Sequence, residues 1–272
     1  MSTSATDRFN AEAAAWDTNP VTVRSSELAY EALLRHVPEL THPQSPTTLD
    51  ILEIGCGTGL LSSHLSPHCR SLLGADLSSG MVAAFNAKVA ASAAAAAAMT
   101  NASQRPPLSN LAAVETLLER ADQPDVQRAA GALLRRVCGR GGDDEPGGPR
   151  APAPVRWGVV VAHLTLHHIP RLGPFLATCL GCLKEGGCVA FTDFADVGPE
   201  SVLFHPREKR EGVERHGIER GEMERLVRGA GFVDVVVEEA FVMEKEVDPS
   251  EEEAGGRTVV GFPFLVVVGR KP

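Results

Sequence analysis

The chain has 272 residues, a formal net charge of −9 and 43% apolar residues. That length can bury a sizeable core. Its acidic balance, with no Lys/Arg cluster free of interleaved acids, argues against nucleic acid as a partner. The polar start from Met1 to Asn10 is not expected to be a secretory signal, and no apolar run is expected to approach the length of a membrane span. Six cysteines without a spaced framework read as reduced thiols, so the expectation is a cytoplasmic protein.

The spaced pair Phe9 and Trp16, set among alanines, predicts a short amphipathic helix that Pro20 ends. Residues 21–37 read as a second helix, with Leu28, Ala32 and Val37 on one face, and Pro38 to Pro46 as a loop. Residues 49–54 form an apolar run rich in Ile and Leu, which predicts a buried parallel strand. Gly55, Gly57 and Gly59 follow on alternate positions and lead into a helix over 58–66. Such a strand–turn–helix brings backbone N–H groups and a helix N-terminus to a ligand with no side chains between. Glu53 adds a carboxylate beside the same cavity. The third glycine comes one residue earlier than in the dinucleotide turn G-x-G-x-x-G, and no Lys-Ser or Lys-Thr pair follows as a P-loop requires.

Ser71 to Asp76 reads as the next strand. Asp76 lies 21 residues after Gly55, about the interval at which a parallel α/β unit returns to the same sheet edge, where an acid can bind both ribose hydroxyls. Ser79 reads as an N-cap, and Met81, Phe85 and Val89 repeat at helical spacing as core. Leu77 and Met81 lie close enough to the turn to touch an adenine ring. Ala90 to Ala98 extends the helix by propensity alone. A polar loop over 100–110 precedes a third strand at Leu111–Glu115; Glu115 and Glu119 are both candidates for an adenine-side carboxylate. Residues 124–138 read as a helix, and 139–155, rich in Gly and Pro, as disordered linker. The stretch 91–155 is therefore taken as a low-complexity insertion within a single domain over 1–272, whose residues 1–37 are lid helices.

Trp157 to His163 predicts another buried strand, with His163, His167 and His168 at its exit. A helix over 174–184, a Gly186-Gly187 turn and a strand over 188–193 follow. Residues 196–220 are a charged loop holding His205 and His216; then come a helix over 219–230 stopped by Gly231, a strand over 232–237, and a last strand starting at Phe264, since Pro263 lacks a ladder donor. Cys179-Leu-Gly-Cys182 could join His167 and His168 in a zinc site, but a second close ligand pair is missing. It sits in an apolar helical pattern, so buried thiols are expected and no metal. Alternating strands and helices imply an α/β fold with a doubly wound, seven-stranded, mostly parallel sheet. The last two strands have no helix between them and should form a terminal antiparallel hairpin.

Glu53-Ile-Gly-Cys-Gly-Thr-Gly59 resembles motif I of the class I S-adenosylmethionine-dependent methyltransferases, in particular the small-molecule branch similar to quinone-biosynthesis enzymes. The resemblance runs from about Phe9 to Lys271 apart from the insertion. It implies a Rossmann-like methyltransferase fold, S-adenosyl-L-methionine as cofactor, and a small-molecule acceptor methylated on O, N or C. By the same resemblance Glu53, Gly55, Cys56, Gly57, Thr58 and Gly59 would contact the methionyl part. Asp76, Leu77, Ser78 and Met81 would contact ribose and adenine, and Ala162 and His163 the amine through their backbone. Phe9 to Trp16 resembles the lid helix, and Leu183 to Gly187 the turn before strand five. The chain departs from the family in having Gly158 where an Asp is usual, and in a degraded third-strand motif.

A base is needed only if the acceptor is protonated at neutral pH. Histidine titrates there, which makes His168 and His167 the catalytic candidates. Two rival readings stand beside methyl transfer. A nicotinamide-dependent oxidoreductase would use a similar sheet, but the early third glycine, the terminal hairpin and the lack of a Tyr-x-x-x-Lys pair oppose it, Tyr30 being the one tyrosine. A non-catalytic binding protein could keep the fold without the chemistry.

Overall fold

The computed structural model describes residues 3–98, 107–139 and 153–272. Its centre is a seven-stranded sheet in the order β3-β2-β1-β4-β5-β7-β6. The strands are β1 (Asp50–Ile54), β2 (Ser71–Asp76), β3 (Leu111–Glu115), β4 (Trp157–His163), β5 (Leu183–Phe194), β6 (Val233–Glu246) and β7 (Val259–Arg270). The first five run parallel, while β7 lies between β5 and β6 and is antiparallel to both. The expected doubly wound sheet with a closing antiparallel hairpin is thus what the chain builds.

Continuous apolar strands follow from covering both faces. Ile51, Val159 and Val161 point into one core layer with Leu33, Leu65 and Phe85. Their neighbours Leu52, Val160 and Ala162 point into the other, with Phe175, Leu176 and Val227. Successive strand residues alternate between faces, so a run buried on both sides must be apolar throughout. The helices on the first face are α2 (Pro20–His36), α5 (Leu60–Leu65) and α6 (Ser79–Ala98), joined by the short α3 (Pro38–Thr41) and α4 (Ser45–Thr48). The second face carries α7 (Pro124–Cys138), α8 (Leu172–Cys182) and α9 (Arg220–Gly229). The remaining helix, α1 (Thr3–Glu12), runs into a 3-10 turn at Ala13–Thr18 and crosses the sheet's C-terminal edge, touching α6.

Several local expectations need correction. Pro20 does not end a helix but opens α2, at a position where its missing N–H costs nothing, with the Asn19 side chain accepting from Val21 N at 2.9 Å. The loop 38–46 holds α3 and the start of α4. Strand β6 is far longer than 232–237, and β7 starts at Val259, with Pro263 inside it. Pro263 is tolerated because its carbonyl, and so its missing N–H, faces β5 just past the last paired residue: Ala195 N donates to Pro263 O at 2.8 Å, and the β5–β7 ladder ends at Phe194–Phe264.

The stretch 91–155 is not all connection, since β3 forms the sheet edge and α7 buries Val126, Ala130 and Leu133. The polar loop and the linker expected there lie largely outside the described residues, at 99–106 and 140–152. The expectation of no span-length apolar run is also corrected, because α6 has 20 residues and the composition to cross a membrane. Its first half is committed elsewhere: Met81, Val82 and Phe85 are buried in the domain. Each such side chain contributes about 1.5–3 kcal/mol to the fold.

Candidate functional site

The site lies at the C-terminal ends of β1, β2 and β4. There the chain leaves β1 in one direction for β2 and returns on the other side as β4, the switch point at which open α/β sheets leave a crevice. Two cavities share Gly55, Asp76, Thr165 and His168 and together make one cleft. The narrower half is bounded by Glu53, Gly57, Thr58 and His163 below, and by Phe9 and Trp16 above. The wider half, about 380 Å³, runs past Leu77, Thr116, Leu117 and Leu118 to Phe175.

The glycine turn is left-handed at all three positions, with φ of +69° at Gly55, +52° at Gly57 and +82° at Gly59. Their neighbours differ. A Cβ on Gly55 would collide with Thr165, and one on Gly59 would come within 2.5 Å of Phe85. One on Gly57 would project into space bounded only by Trp16 Nε1 at 3.9 Å. Gly57 is therefore where backbone is bared to a ligand, whereas Gly59 serves packing and does not line the cleft.

Asp76 spans the turn. Its Oδ2 accepts from Gly57 N at 2.9 Å and its Oδ1 from Ser78 N at 2.8 Å. Burial raises the Asp76 pKa, and these N–H donors counter that only in part. Glu53 is fully enclosed and accepts from the Ser62 hydroxyl. Burial first, with the Asp76 charge adding, pushes its pKa up to about 8. Cys56 lines the narrow half, and burial raises its thiol well above the ordinary value, so it is an apolar wall and no nucleophile.

The lid is latched by polar contacts. Asn10 Oδ1 accepts from Gly80 N and from the Ser78 hydroxyl, both at 2.8 Å. Thr58 donates to Asp17, which also pairs with Lys88 at 2.7 Å. Phe9 packs edge-on against Trp16 and His168. The first turn of α6 is thus capped by Ser78, whose hydroxyl accepts from Met81 N at 3.1 Å, and by Asn10 from the lid, not by Ser79.

The exit of β4 is strained: Leu164 holds φ +52° between His163 and Thr165, a left-handed conformation that costs a residue with a Cβ about 1–2 kcal/mol. His163 Nδ1 pairs with Thr192 Oγ1 at 2.9 Å, and its buried Nε2 has no partner among the described residues. Burial lowers its pKa to about 4. His168 lines both halves of the cleft, its Nδ1 donates to Gly212 O at 3.1 Å, and burial takes its pKa to about 3. His167 lies behind it, out of the cleft lining, with Nδ1 2.9 Å from Asp193 Oδ1. Burial alone would raise Asp193, but the His167 ring and its hydrogen bonds outweigh it and hold that carboxylate below its ordinary value.

Of the residues singled out from sequence, Glu53, Gly55, Cys56, Gly57, Thr58, Asp76, Leu77, Met81, His163 and His168 line the cleft. Ala162 does not; it is buried in the core layer under α8. Glu119 lines the wide half and Glu115 does not, although Glu115 registers opposite Asp76 on β3. A Cβ at Gly158 would lie 2.7 Å from Leu49 Cδ1, so a side chain there requires the Leu49 tip to shift. Cys179 and Cys182 are fully buried in the α8 core, with thiols pushed up by burial. Sequence reasoning missed Asn10, Thr165, Leu118 and Asp193. Asp193 alone carried a signal, as an acid at the end of a parallel strand beside Asp76's own kind of position.

A family model described as a methyltransferase domain matches residues 26–239. An uncharacterized methyltransferase of Schizosaccharomyces pombe is 48% identical over 40 residues, a match spanning 15% of this chain and 14% of that protein. The YcgJ protein from Bacillus subtilis shares the fold with a TM-score of 0.58 at 12% identity, over 89% of this chain and 98% of that one. The structure of a DhpI–SAH complex aligns with a TM-score of 0.52 at 17% identity, over 98% of this chain and 95% of that one.

Proposed function

The chain belongs to the methyltransferase-domain family, and on that premise we propose that it transfers a methyl group from S-adenosyl-L-methionine to an O, N or C nucleophile of a small metabolite. One observation carries the reading: the carboxylate of Asp76 stands at the join of two half-clefts, a narrow one lined by the glycine turn and a wider one lined by Leu77, Leu117 and Leu118. That shape suits a nucleoside joined to an amino acid. The homologous fold of the DhpI–SAH complex supports the same ligand.

Bound S-adenosylmethionine would supply an already electrophilic sulfonium methyl, so the protein's task is alignment and exclusion of water. Asp76 retains acceptor capacity for ribose hydroxyls, since the backbone N–H groups of Gly57, Ser78 and Leu77 do not fill the roughly four acceptor sites of a carboxylate. Leu77, Leu117 and Leu118 offer an apolar slot for adenine, with Glu119 at its rim. The bared backbone of Gly57 and the enclosed Glu53 face the methionyl end. Phe9 and Trp16 roof that end, which suits a small acceptor.

His168, with His167 behind it, supplies ring nitrogens at the acceptor end. A histidine held near pKa 3 is unprotonated at neutral pH but is a weak proton sink. His168 therefore faces the acceptor as a neutral ring and not as its base, and His167 positions His168 through ring contact at 4.0 Å between centroids.

Incubating the purified protein with methyl-labelled S-adenosylmethionine and a metabolite extract, followed by mass spectrometry, tests the assignment. A metabolite gaining one labelled methyl is expected. Calorimetric binding of NADH in place of S-adenosylmethionine would overturn it in favour of an oxidoreductase. Binding of S-adenosylmethionine without methyl gain in any extract would leave a binding protein.

A further inference from the structure

We propose that His167, His168 and His205 bind one divalent transition metal ion, with zinc the best fit, in a cluster that meets the cleft through His168 alone. Nitrogens of the three rings lie within 4.8 Å of one another. His205 comes from the charged loop after β5 and packs its ring 5.0 Å from His167 and 6.1 Å from His168, centroid to centroid.

The tautomers are set for ligation. Gly212 O can only accept, so His168 Nδ1 carries the hydrogen at 3.1 Å and its lone pair is on Nε2. Asp193 accepts from His167 Nδ1 at 2.9 and 3.0 Å, which puts that lone pair on Nε2 as well. Metal-binding histidines are held in this way, with the other ring N–H tied to a carboxylate or backbone carbonyl. His205 Nδ1 is buried and has no hydrogen-bond partner among the described residues. An unpaired buried polar atom is costly, and an ion would relieve it.

The donor set selects the metal. Three imidazoles suit zinc, iron(II), nickel or copper, whereas magnesium and calcium want oxygen ligands. Tetrahedral zinc with bonds of about 2.0–2.1 Å needs nitrogens about 3.3 Å apart, so rings now within 4.8 Å of one another close by up to about 1.5 Å on binding. Phe9, Phe194 and Phe204 pack their rings against His168, His167 and His205 respectively. Three protein ligands leave a fourth position open, as in catalytic rather than structural zinc sites.

Charge then narrows the acceptor. The Asp193 carboxylate offsets one of the ion's two charges, while Arg8 beside His168 and Lys245 beside His205 add positive field. The open position suits an anionic oxygen, so the acceptor class is a small molecule with an acidic hydroxyl. On ligation its proton passes to water. The oxygen lone pair forms the O–CH3 bond, and the electrons of the broken C–S bond return to sulfur. The acceptor class rests on the methyl-transfer reading; the metal site rests on the cluster alone.

Full-length protein, stripped with a chelator and dialysed, is titrated with cobalt(II) and followed by visible absorption, then with zinc in competition. One equivalent with the intense bands of tetrahedral cobalt is expected, displaced by zinc. His205→Gln and His168→Gln should each abolish the bands, and Asp193→Asn should weaken binding about 10–100-fold. Circular dichroism checks the fold of every variant. Absent cobalt bands in the wild-type protein, or binding that survives both His→Gln substitutions, would overturn the site. S-adenosylmethionine titration of the same wild-type preparation separates the two readings: cofactor binding without metal binding sinks the metal site alone, and metal binding without cofactor binding sinks the methyl-transfer reading alone.

Discussion

The carboxylate of Asp76, at the end of β2, accepts a hydrogen bond from the backbone N–H of Gly57, in the turn after β1, at 2.9 Å. Two neighbouring parallel strands are thereby locked together at the point where the narrow and wide halves of the cleft meet. The same side chain sets the turn's shape and presents its remaining lone pairs to a ligand. Asp76→Ala should therefore raise the Kd for S-adenosylmethionine by roughly 10–100-fold, the equivalent of one charged hydrogen bond at about 1.5–3 kcal/mol. Calorimetry measures it, and a change of under threefold would remove Asp76 from the binding site.

Glu53 gives the protein a pH signature. Its folded pKa stands near 8 against an ordinary 4.5, so the folded carboxyl keeps its proton at neutral pH while the unfolded one has lost it. Stability from this group is complete below about pH 4.5, falls by up to about 1.4 kcal/mol per pH unit as pH rises toward 8, and levels beyond. Glu53→Gln, which cannot ionise, should flatten the slope of urea-derived stability between pH 5 and 8. An unchanged slope in the variant would show that the carboxyl is not held protonated.

The sheet and most of the cleft were legible because they rest on periodicity and glycine chemistry. Strand β1 is apolar because both its faces are covered, and Gly57 is bare because backbone must approach a ligand there. What escaped were contacts made at long sequence separation. Asn10 caps a helix that starts 69 residues later, and Asp193 fixes a histidine 26 residues before it. Local spacing carries no trace of such pairs. Pro263 misled for a related reason: whether a strand tolerates proline depends on where its neighbour stops, which only the pairing of β5 and β7 decides.

The lid should come loose without harming the core. Asn10→Ala removes the acceptor for Gly80 N and the Ser78 hydroxyl, a loss of about 1 kcal/mol by analogy with a helix cap. Faster tryptic cleavage near Arg8 is expected, with a three- to tenfold weaker grip on S-adenosylmethionine and an intact sheet by circular dichroism. Equal protease sensitivity in variant and parent would mean that Asn10 does not latch the lid.

Alanine at Gly57 and at Gly59 should separate binding from folding. Both positions are left-handed, so each Ala costs about 1–2 kcal/mol in backbone strain. At Gly59 the added methyl also meets the Phe85 ring at 2.5 Å, in a layer with no slack, which adds about 1–3 kcal/mol of overpacking. At Gly57 the methyl enters the cleft, where its nearest neighbour is Trp16 at 3.9 Å, so the fold tolerates it and the ligand does not. Gly59→Ala should then lower the urea midpoint more than Gly57→Ala, and Gly57→Ala should weaken S-adenosylmethionine binding more than Gly59→Ala, measured where both variants are folded. The reverse order in either measurement would place the ligand-facing backbone at Gly59, with the Phe85 ring yielding to the added methyl.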